Sequence, residues 1–337
     1  MRLAVTYNLK KEIKKGETLP HDFYAECDEA ETVEAVRGAL LERHAHVEMI
    51  EADEDAFDKL RRLRPGLVFN MAEGVWGESR ESQIPSMMEM LRIPYTGSTP
   101  LTLALCLNKA RAKEVLSYYG IPNPRFIVTE DPALDVEACL RFPMIIKPLY
   151  EGSSKGIKND SVVESREEFR RKVSSVVADY RQPALVEEYL DGREFTVALV
   201  GNGGKLKVLP IVEINYSALP EGVRHIYSYE AKWILDKPEN PLDIFTCPAD
   251  VNGRLRGSIE KAASDSFRAL DVKDWCRIDI RLDSTGTPHV IELNPLPGIL
   301  HDPKQNSCFP KAARAAGMTF SDLVNSVVDS ALERYGI

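Results

Sequence analysis

Two runs near the C-terminus constrain this chain most: Cys276-Arg277-Ile278-Asp279-Ile280-Arg281-Leu282 and Pro288-His289-Val290-Ile291-Glu292-Leu293-Asn294. In the first, apolar and charged residues alternate, the period of a strand with one buried face. Asp283-Ser284-Thr285-Gly286 supplies turn residues, so the two runs read as a β-hairpin. Arg277, Asp279 and Arg281 then share one face of the first strand, and Val290, Glu292 and Asn294 share one face of the second. With Asp283 paired to Gly286, Arg277 stands opposite Glu292 and Asp279 lies diagonal to Glu292, ~7–8 Å away. Two carboxylates so placed can share one or two hard cations, and oxygen ligands that leave room for water and phosphate suit Mg²⁺. A charged, solvated sheet face is the ordinary alternative. Two features weigh against it. Arg277 would hold Glu292 and could meet a phosphate. The hairpin also runs into Pro295-Leu296-Pro297-Gly298, a rigid turn with backbone N–H groups beside the acids.

At 337 residues the chain exceeds one ordinary core, so two or three domains are expected. Hydrophobic residues at 44% and charged residues at 28% fit a globular protein. A net charge of −9 argues against nucleic-acid or anionic-membrane partners, while leaving room for a local basic cleft. No apolar run approaches the ~20 residues that span a bilayer. Met1 to Tyr7 reads as a strand and not a signal peptide, because charge returns at Lys10. The six cysteines are scattered without a CxxC pair, which suggests reduced thiols in the cytoplasm. The six histidines are also scattered, against a zinc site.

The first ~95 residues read as a small α/β domain, with strands at Leu3–Tyr7, Val47–Ile50 and Leu67–Asn70. Val33, Val36, Leu40 and Leu41 mark one face of an intervening helix, and such alternation implies a parallel sheet. Ligands of such sheets sit beyond the C-terminal strand ends, but no G-x-G-x-x-G follows a strand to support a dinucleotide site. Pro94-Tyr95-Thr96-Gly97-Ser98 is a turn-rich boundary. Helices are expected near 108–119, 135–140 and 165–177, and strands near 125–129, 144–148 and 185–190. The division is 1–96, 97–184 and 185–337.

Lys147 sits inside an otherwise apolar strand, Met144 to Pro148, either snorkelling at its end or reaching a ligand. The loop Glu151-Gly152-Ser153-Ser154-Lys155-Gly156 that follows has small residues whose N–H groups can cradle phosphate. Lysine before such a loop, with an oxygen-ligand cluster elsewhere, is a nucleoside triphosphate constellation. With Glu187-Glu188-Tyr189-Leu190, Arg193-Glu194-Phe195-Thr196-Val197, Tyr229-Glu230-Ala231-Lys232, Arg277-Ile278-Asp279, Glu292-Leu293-Asn294 and Pro297-Gly298, the chain resembles the ATP-grasp superfamily, in its D-alanine–D-alanine ligase-like family. The resemblance runs from about Val68 onward. It implies an α/β (α+β) ATP-grasp fold behind an N-terminal Rossmann-like, pre-ATP-grasp parallel sheet. It also implies an ATP-dependent carboxylate–amine ligase that works through an acyl phosphate.

By the same resemblance Lys109 and Lys147 contact ATP phosphates, and the loop from Glu151 through Gly152, Ser153 and Ser154 covers them. Glu187, Glu188, Tyr189 and Leu190 hold adenine, Glu194 the ribose hydroxyls, and Lys232 lies near the γ-phosphate, with Tyr229 also on the nucleotide. Asp279, Glu292 and Asn294 resemble the ligands of two Mg²⁺ ions, or Mn²⁺. Arg277 and the Gly298 backbone resemble the groups that stabilise the tetrahedral intermediate. The implied partners are small amino-acid-like substrates and a second copy of the chain in a homodimer.

Four departures touch the substrate sites. The family's Gly-Gly-x-Ser-x-Glu loop, whose glutamate holds the first D-alanine's amino group, is absent after Tyr7-Asn8-Leu9-Lys10; Glu26, Asp28 and Glu31 are candidate substitutes. The family's His-Gly is here Glu73-Gly74. Trp233 replaces a tyrosine that joins the loop serine, matched by Ser153, in a hydrogen-bonded set; an indole donates but cannot accept. An insertion, Leu300 to Asn306, precedes Ser307, which aligns with the serine that binds the second substrate's carboxylate. D-alanine and other amino-acid or amine pairs therefore both remain open, as does a non-catalytic ATP-binding relative.

Overall fold

The computed structural model describes residues 1–13, 19–236 and 241–337. Three sheets organise them. The first is parallel: Arg2–Tyr7 lies between His46–Glu51 and Leu67–Asn70. The helix Ala30–Leu41 covers one face through Val33, Val36 and Leu40, whereas Leu41 turns outward. The second sheet is antiparallel, in the order Phe126–Thr129, Ala184–Glu188, Met144–Pro148, Val162–Val163. The strand Ala184–Glu188, of which residues 185–188 are assigned above to the third part, pairs on both sides inside this sheet. The helix Arg166–Tyr180 closes it, with Ser165 capping its first turn. The helix expected at 135–140 is only a short 3₁₀ turn, Val136–Ala138.

The third sheet is also antiparallel and runs Phe245–Thr246, Val212–Ile214, Glu194–Val200, Trp275–Leu282, Pro288–Asn294, with Lys207–Val208 on the side of Glu194–Val200. On one face Ile278, Ile280 and Val290 pack with Ile259 and Phe267 of the helix Gly253–Ala269. Its other side shares a core with the N-terminal sheet, where Leu3, Val5 and Phe69 meet Trp275, Phe309 and Val324. That shared core holds the N-terminal strand ends over the cleft between the second and third sheets. Each buried side chain of this size is worth about 1.5–3 kcal/mol, so the alignment is a property of the core and not of loops.

Candidate active site

The cleft is a cavity of about 270 Å³ whose wall draws on all three sheets. Twenty of the twenty-one site residues expected from sequence line it; Tyr229 does not. Tyr229 instead packs edge-on against His21 at 5.0 Å. Glu31, one of the three candidates for the amino group, is also off the wall and approaches His301 at 3.7 Å.

The hairpin supplies the centre, with two corrections to its expected register. Leu282 pairs with Pro288, which leaves five residues in the connection, and Asp283 closes it by accepting the Thr285 and Thr287 N–H groups. A β-bulge at Ile291 then shifts the strand again. Asp279 therefore stands directly opposite Glu292 and not diagonal to it, and Arg277 stands opposite Asn294. Val290, expected beside Glu292, points into the opposite core because the bulge turns it over. Arg277 does not hold Glu292: its Nε and Nη2 donate to Asp279 at 3.1 and 3.0 Å. Asn294 Nδ2 donates to Asp279 at 3.2 Å.

Glu292 takes its counter-charge from Lys109 at 2.7 Å, and Lys109 Nζ also donates to the Glu151 carbonyl. Lys109 opens the helix Lys109–Tyr118, capped by Asn108, so its side chain emerges at a fixed angle under the loop. One turn on, Lys113 reaches Glu187 at 2.6 Å, and Lys147 reaches the other oxygen of Glu187 at 2.6 Å. All three are almost fully buried. Burial alone would raise the Glu187 carboxyl, but Lys113 and Lys147 prevail and hold it down at about 2. Glu188, Tyr189 and Leu190 continue along the wall from Glu187. Glu194 lies opposite Arg281 on the neighbouring strand, 3.1 Å from its Nη1, and accepts from Tyr216 at 2.7 Å.

The Glu151–Gly156 loop is tied down from outside its own lobe. Glu26 accepts from the Gly152 N–H at 2.6 Å, Lys155 at 2.7 Å and Arg80 at 2.8 Å. Lys155 also pairs with Glu151. A Cβ at Gly152 would collide with the Glu26 carboxylate, so a larger residue there would have to displace that side chain. Burial would raise Glu26, but Lys155 and Arg80 hold it at about 2. Ser153 and Ser154 both take left-handed backbone, φ 48° and 61°, a strain of ~1–3 kcal/mol each that these contacts offset. Asp22 fixes the far end, accepting from the Gly156 N–H at 2.9 Å and from Tyr180 Oη at 2.7 Å.

Lys232 and Trp233 sit on the π-helical turn Glu230–Leu235 across from the loop. Burial, reinforced by Arg277, pushes the Lys232 ammonium down to about 8. The Trp233 indole N–H donates to the Ser153 carbonyl at 3.2 Å, and Lys10 lies 5.3 Å over its ring. Ser307 Oγ donates to the Gly298 carbonyl at 3.2 Å and accepts from the Leu300 N–H at 3.3 Å, closing the insertion on itself.

Glu73 reaches the wall at the end of the N-terminal sheet, beside Cys27, Asp28 and Glu81. Sequence reasoning missed Glu81, Arg80, Lys113 and Arg281. Arg80 and Glu81 fall in the polar stretch Gly77-Glu78-Ser79-Arg80-Glu81-Ser82, which reads as an exposed turn. Arg281 alone carried a signal, its place on the charged face of the first hairpin strand.

A family model described as the D-ala D-ala ligase C-terminus matches residues 114–329. An uncharacterized protein of Sinorhizobium fredii is 35% identical over 90% of this chain and 88% of its own length. A D-alanine–D-alanine ligase of Pelotomaculum thermopropionicum is 31% identical over 91% of this chain and 92% of its own length. The D-alanine–D-alanine ligase of Bacillus anthracis, solved with ATP, superposes with a TM-score of 0.73 at 22% identity, covering 100% of this chain and 99% of that one. The VanG D-Ala:D-Ser ligase of Enterococcus faecalis gives 0.69 at 21%, covering 98% and 99%. Among the described residues no helix is long and apolar enough to cross a membrane. The chain belongs to the D-alanine–D-alanine ligase family and is an ATP-grasp ligase.

Proposed function

We propose that the protein is an ATP- and Mg²⁺-dependent carboxylate–amine ligase that forms an amide bond through an acyl phosphate. One observation carries the reading: Asp279 and Glu292 face each other directly across the hairpin, in a cavity where Lys109, Lys232 and Arg277 also converge. Like charges directly opposite on paired strands are destabilising unless cations join them. Arg277 and Lys109 now do so, and oxygen donors from Asp279, Glu292 and Asn294 fit Mg²⁺, or Mn²⁺, equally well. Held there, two such ions would offset negative charge on the transferring phosphoryl group.

The remaining roles belong to the chain. Lys147 and Lys109 contact the phosphates, Glu187 to Leu190 the adenine and Glu194 the ribose hydroxyls. The Glu151–Gly156 loop, held by Glu26 and Trp233, excludes water. An oxygen of the first substrate's carboxylate attacks the γ-phosphorus and the bond to the ADP oxygen breaks. The second substrate's amine attacks the acyl carbon, its proton passes to solvent and inorganic phosphate leaves. Arg277 and the Gly298 N–H stabilise the oxyanion between these events. Ser307 meets the acceptor's carboxylate by exchanging its bond to the Gly298 carbonyl. No side chain acts as nucleophile; positioning does most of the work.

The relatives are named for D-alanine and D-serine, and D-alanine is one candidate substrate here. Glu73 and Trp233 stand where the family resemblance expects histidine and tyrosine, which favours a different pair. The resemblance also brings a cytoplasmic homodimer. The test is phosphate release from Mg-ATP with D- and L-amino acids, singly and in pairs, with products read by mass spectrometry. ADP, phosphate and an amide should form in equal amounts. ATP hydrolysis without an amide from any pair overturns the reading.

A further inference from the structure

Beyond the Arg277–Asp279–Glu292 group, the cavity ends against the N-terminal domain, where Asp28, Glu73 and Glu81 line it. Nearby cations are already engaged. Arg80 and Lys155 hold Glu26 and Glu151, Lys10 holds Glu29, and Lys109 holds Glu292. Among the described residues, none of the three carboxylates accepts a side-chain hydrogen bond or an ion pair. Glu81 is only 8% exposed, yet its carboxylate reaches the cavity. An unpartnered carboxylate buried as deeply as Glu81 costs several kcal/mol, and a site that keeps it beside the half-buried Asp28 and Glu73 faces something positive. Burial pushes Asp28 up to about 7, with Glu29 adding to it, and Glu81 up to about 7 against the pull of Arg80 and Lys109; burial with repulsion from Glu81, Glu26 and Asp28 puts Glu73 well above the usual range, so an arriving cation would find groups ready to ionise.

A metal ion fits poorly. Among the described residues no three of His, Cys, Asp or Glu come together as a set that could hold one. The acids are spread along the wall, which suits an extended ligand. The α-ammonium of an ordinary amino acid would occupy one of them and leave two unmatched.

We propose that this acidic end of the cavity selects a substrate with a second cationic group, a dibasic amino acid or a diamine, and that Glu81 and Glu73 determine that specificity. The inference rests on the ligase reading for the identity of the pocket. Neutralising the second amine removes the favourable charge pairs and leaves buried carboxylates unmatched, so discrimination should be steep.

The test is calorimetric titration of the full chain, saturated with Mg²⁺ and a non-hydrolysable ATP analogue. The probes are lysine, ornithine and 2,4-diaminobutyrate of each hand, 1,5-diaminopentane, the ω-N-acetyl form of each, and alanine. At least one dibasic probe should bind tenfold or more tighter than its acetylated form and than alanine, and Glu81→Gln should narrow that gap about tenfold. Should Glu81→Gln fail to fold, the wild-type probe series decides alone. Acetylated or neutral probes binding as tightly as every dibasic one, or no dibasic probe binding, overturns the proposal. Phosphate release measured in parallel separates the two readings. Charge-selective binding without amide formation sinks the ligase reading and spares the acidic subsite; amide formation from neutral pairs with no charge preference does the reverse.

Discussion

The two ends of this cavity treat charge in opposite ways. At the nucleotide end each acid has a partner before any ligand arrives: Glu187 with Lys113 and Lys147, Glu194 with Arg281, Glu292 with Lys109, Asp279 with Arg277. At the other end Asp28, Glu73 and Glu81 have none among the described residues. The matched end can exchange one partner for another as phosphate or a cation enters, so its geometry is set in advance. The unmatched end is completed only by what binds it. On the proposed roles, general phosphoryl chemistry and substrate choice occupy different parts of one wall.

The largest effect should come from breaking the matched end at its centre. Glu292→Gln keeps the shape but removes the charge that faces Asp279 and holds Lys109. Phosphate release with the best substrate pair should fall on the order of 10³-fold, about 4 kcal/mol in the barrier. The circular dichroism spectrum should be unchanged. A variant with Mg²⁺-dependent turnover near that of the parent would refute the role given to this carboxylate.

Next in size is Glu187→Gln, which leaves Lys113 and Lys147 buried without a counter-charge. Breaking a buried ion group by removing one member costs about 3–5 kcal/mol, readable as a lower urea midpoint. The pH dependence has a definite sign. The Glu187 carboxyl is held at about 2, below its unfolded value, so its contribution is present above the unfolded pKa, about 4.5. It is lost as pH falls from there through about 2. The gap in stability between parent and variant should therefore close across that window, and a gap that stays constant down to pH 2 would show that Glu187 is not ionised in the fold.

The same contrast marks what the sequence makes legible. The hairpin's charged face is readable because strand alternation is a local rule, and Arg277, Asp279 and Glu292 all reach the cavity as that rule requires. Its register is not readable. The bulge at Ile291 arises where Val290 and Leu293, three residues apart, both enter the core beside Ile278 and Ile280. A strict period of two cannot satisfy both, and only tertiary contact decides which residue is extruded. Lys113 looks like any helix lysine until the second sheet brings Glu187 onto it. Glu81 sits in a polar stretch with no periodicity, and only the packing of its turn, Arg80–Ser82, against the helix Pro100–Leu107 buries it. Residues matched by local pattern are visible in sequence, and those matched by assembly are not.

Trp233 joins the two ends, and its test is the finest. The indole N–H bonds the Ser153 carbonyl in the loop over the matched end, while the ring lies under Lys10 beside the unmatched one. Trp233→Phe keeps an aromatic face for Lys10 and deletes only the donor. A single neutral hydrogen bond is worth about 1 kcal/mol, so the Michaelis constant for ATP should rise about fivefold as the loop loosens. Discrimination between lysine and its acetylated form should hold within twofold, since the acids that impose it are untouched. A change confined to the amine substrate, with ATP unaffected, would mean that Trp233 serves the acidic end and that Glu26 and Asp22 hold the loop without it.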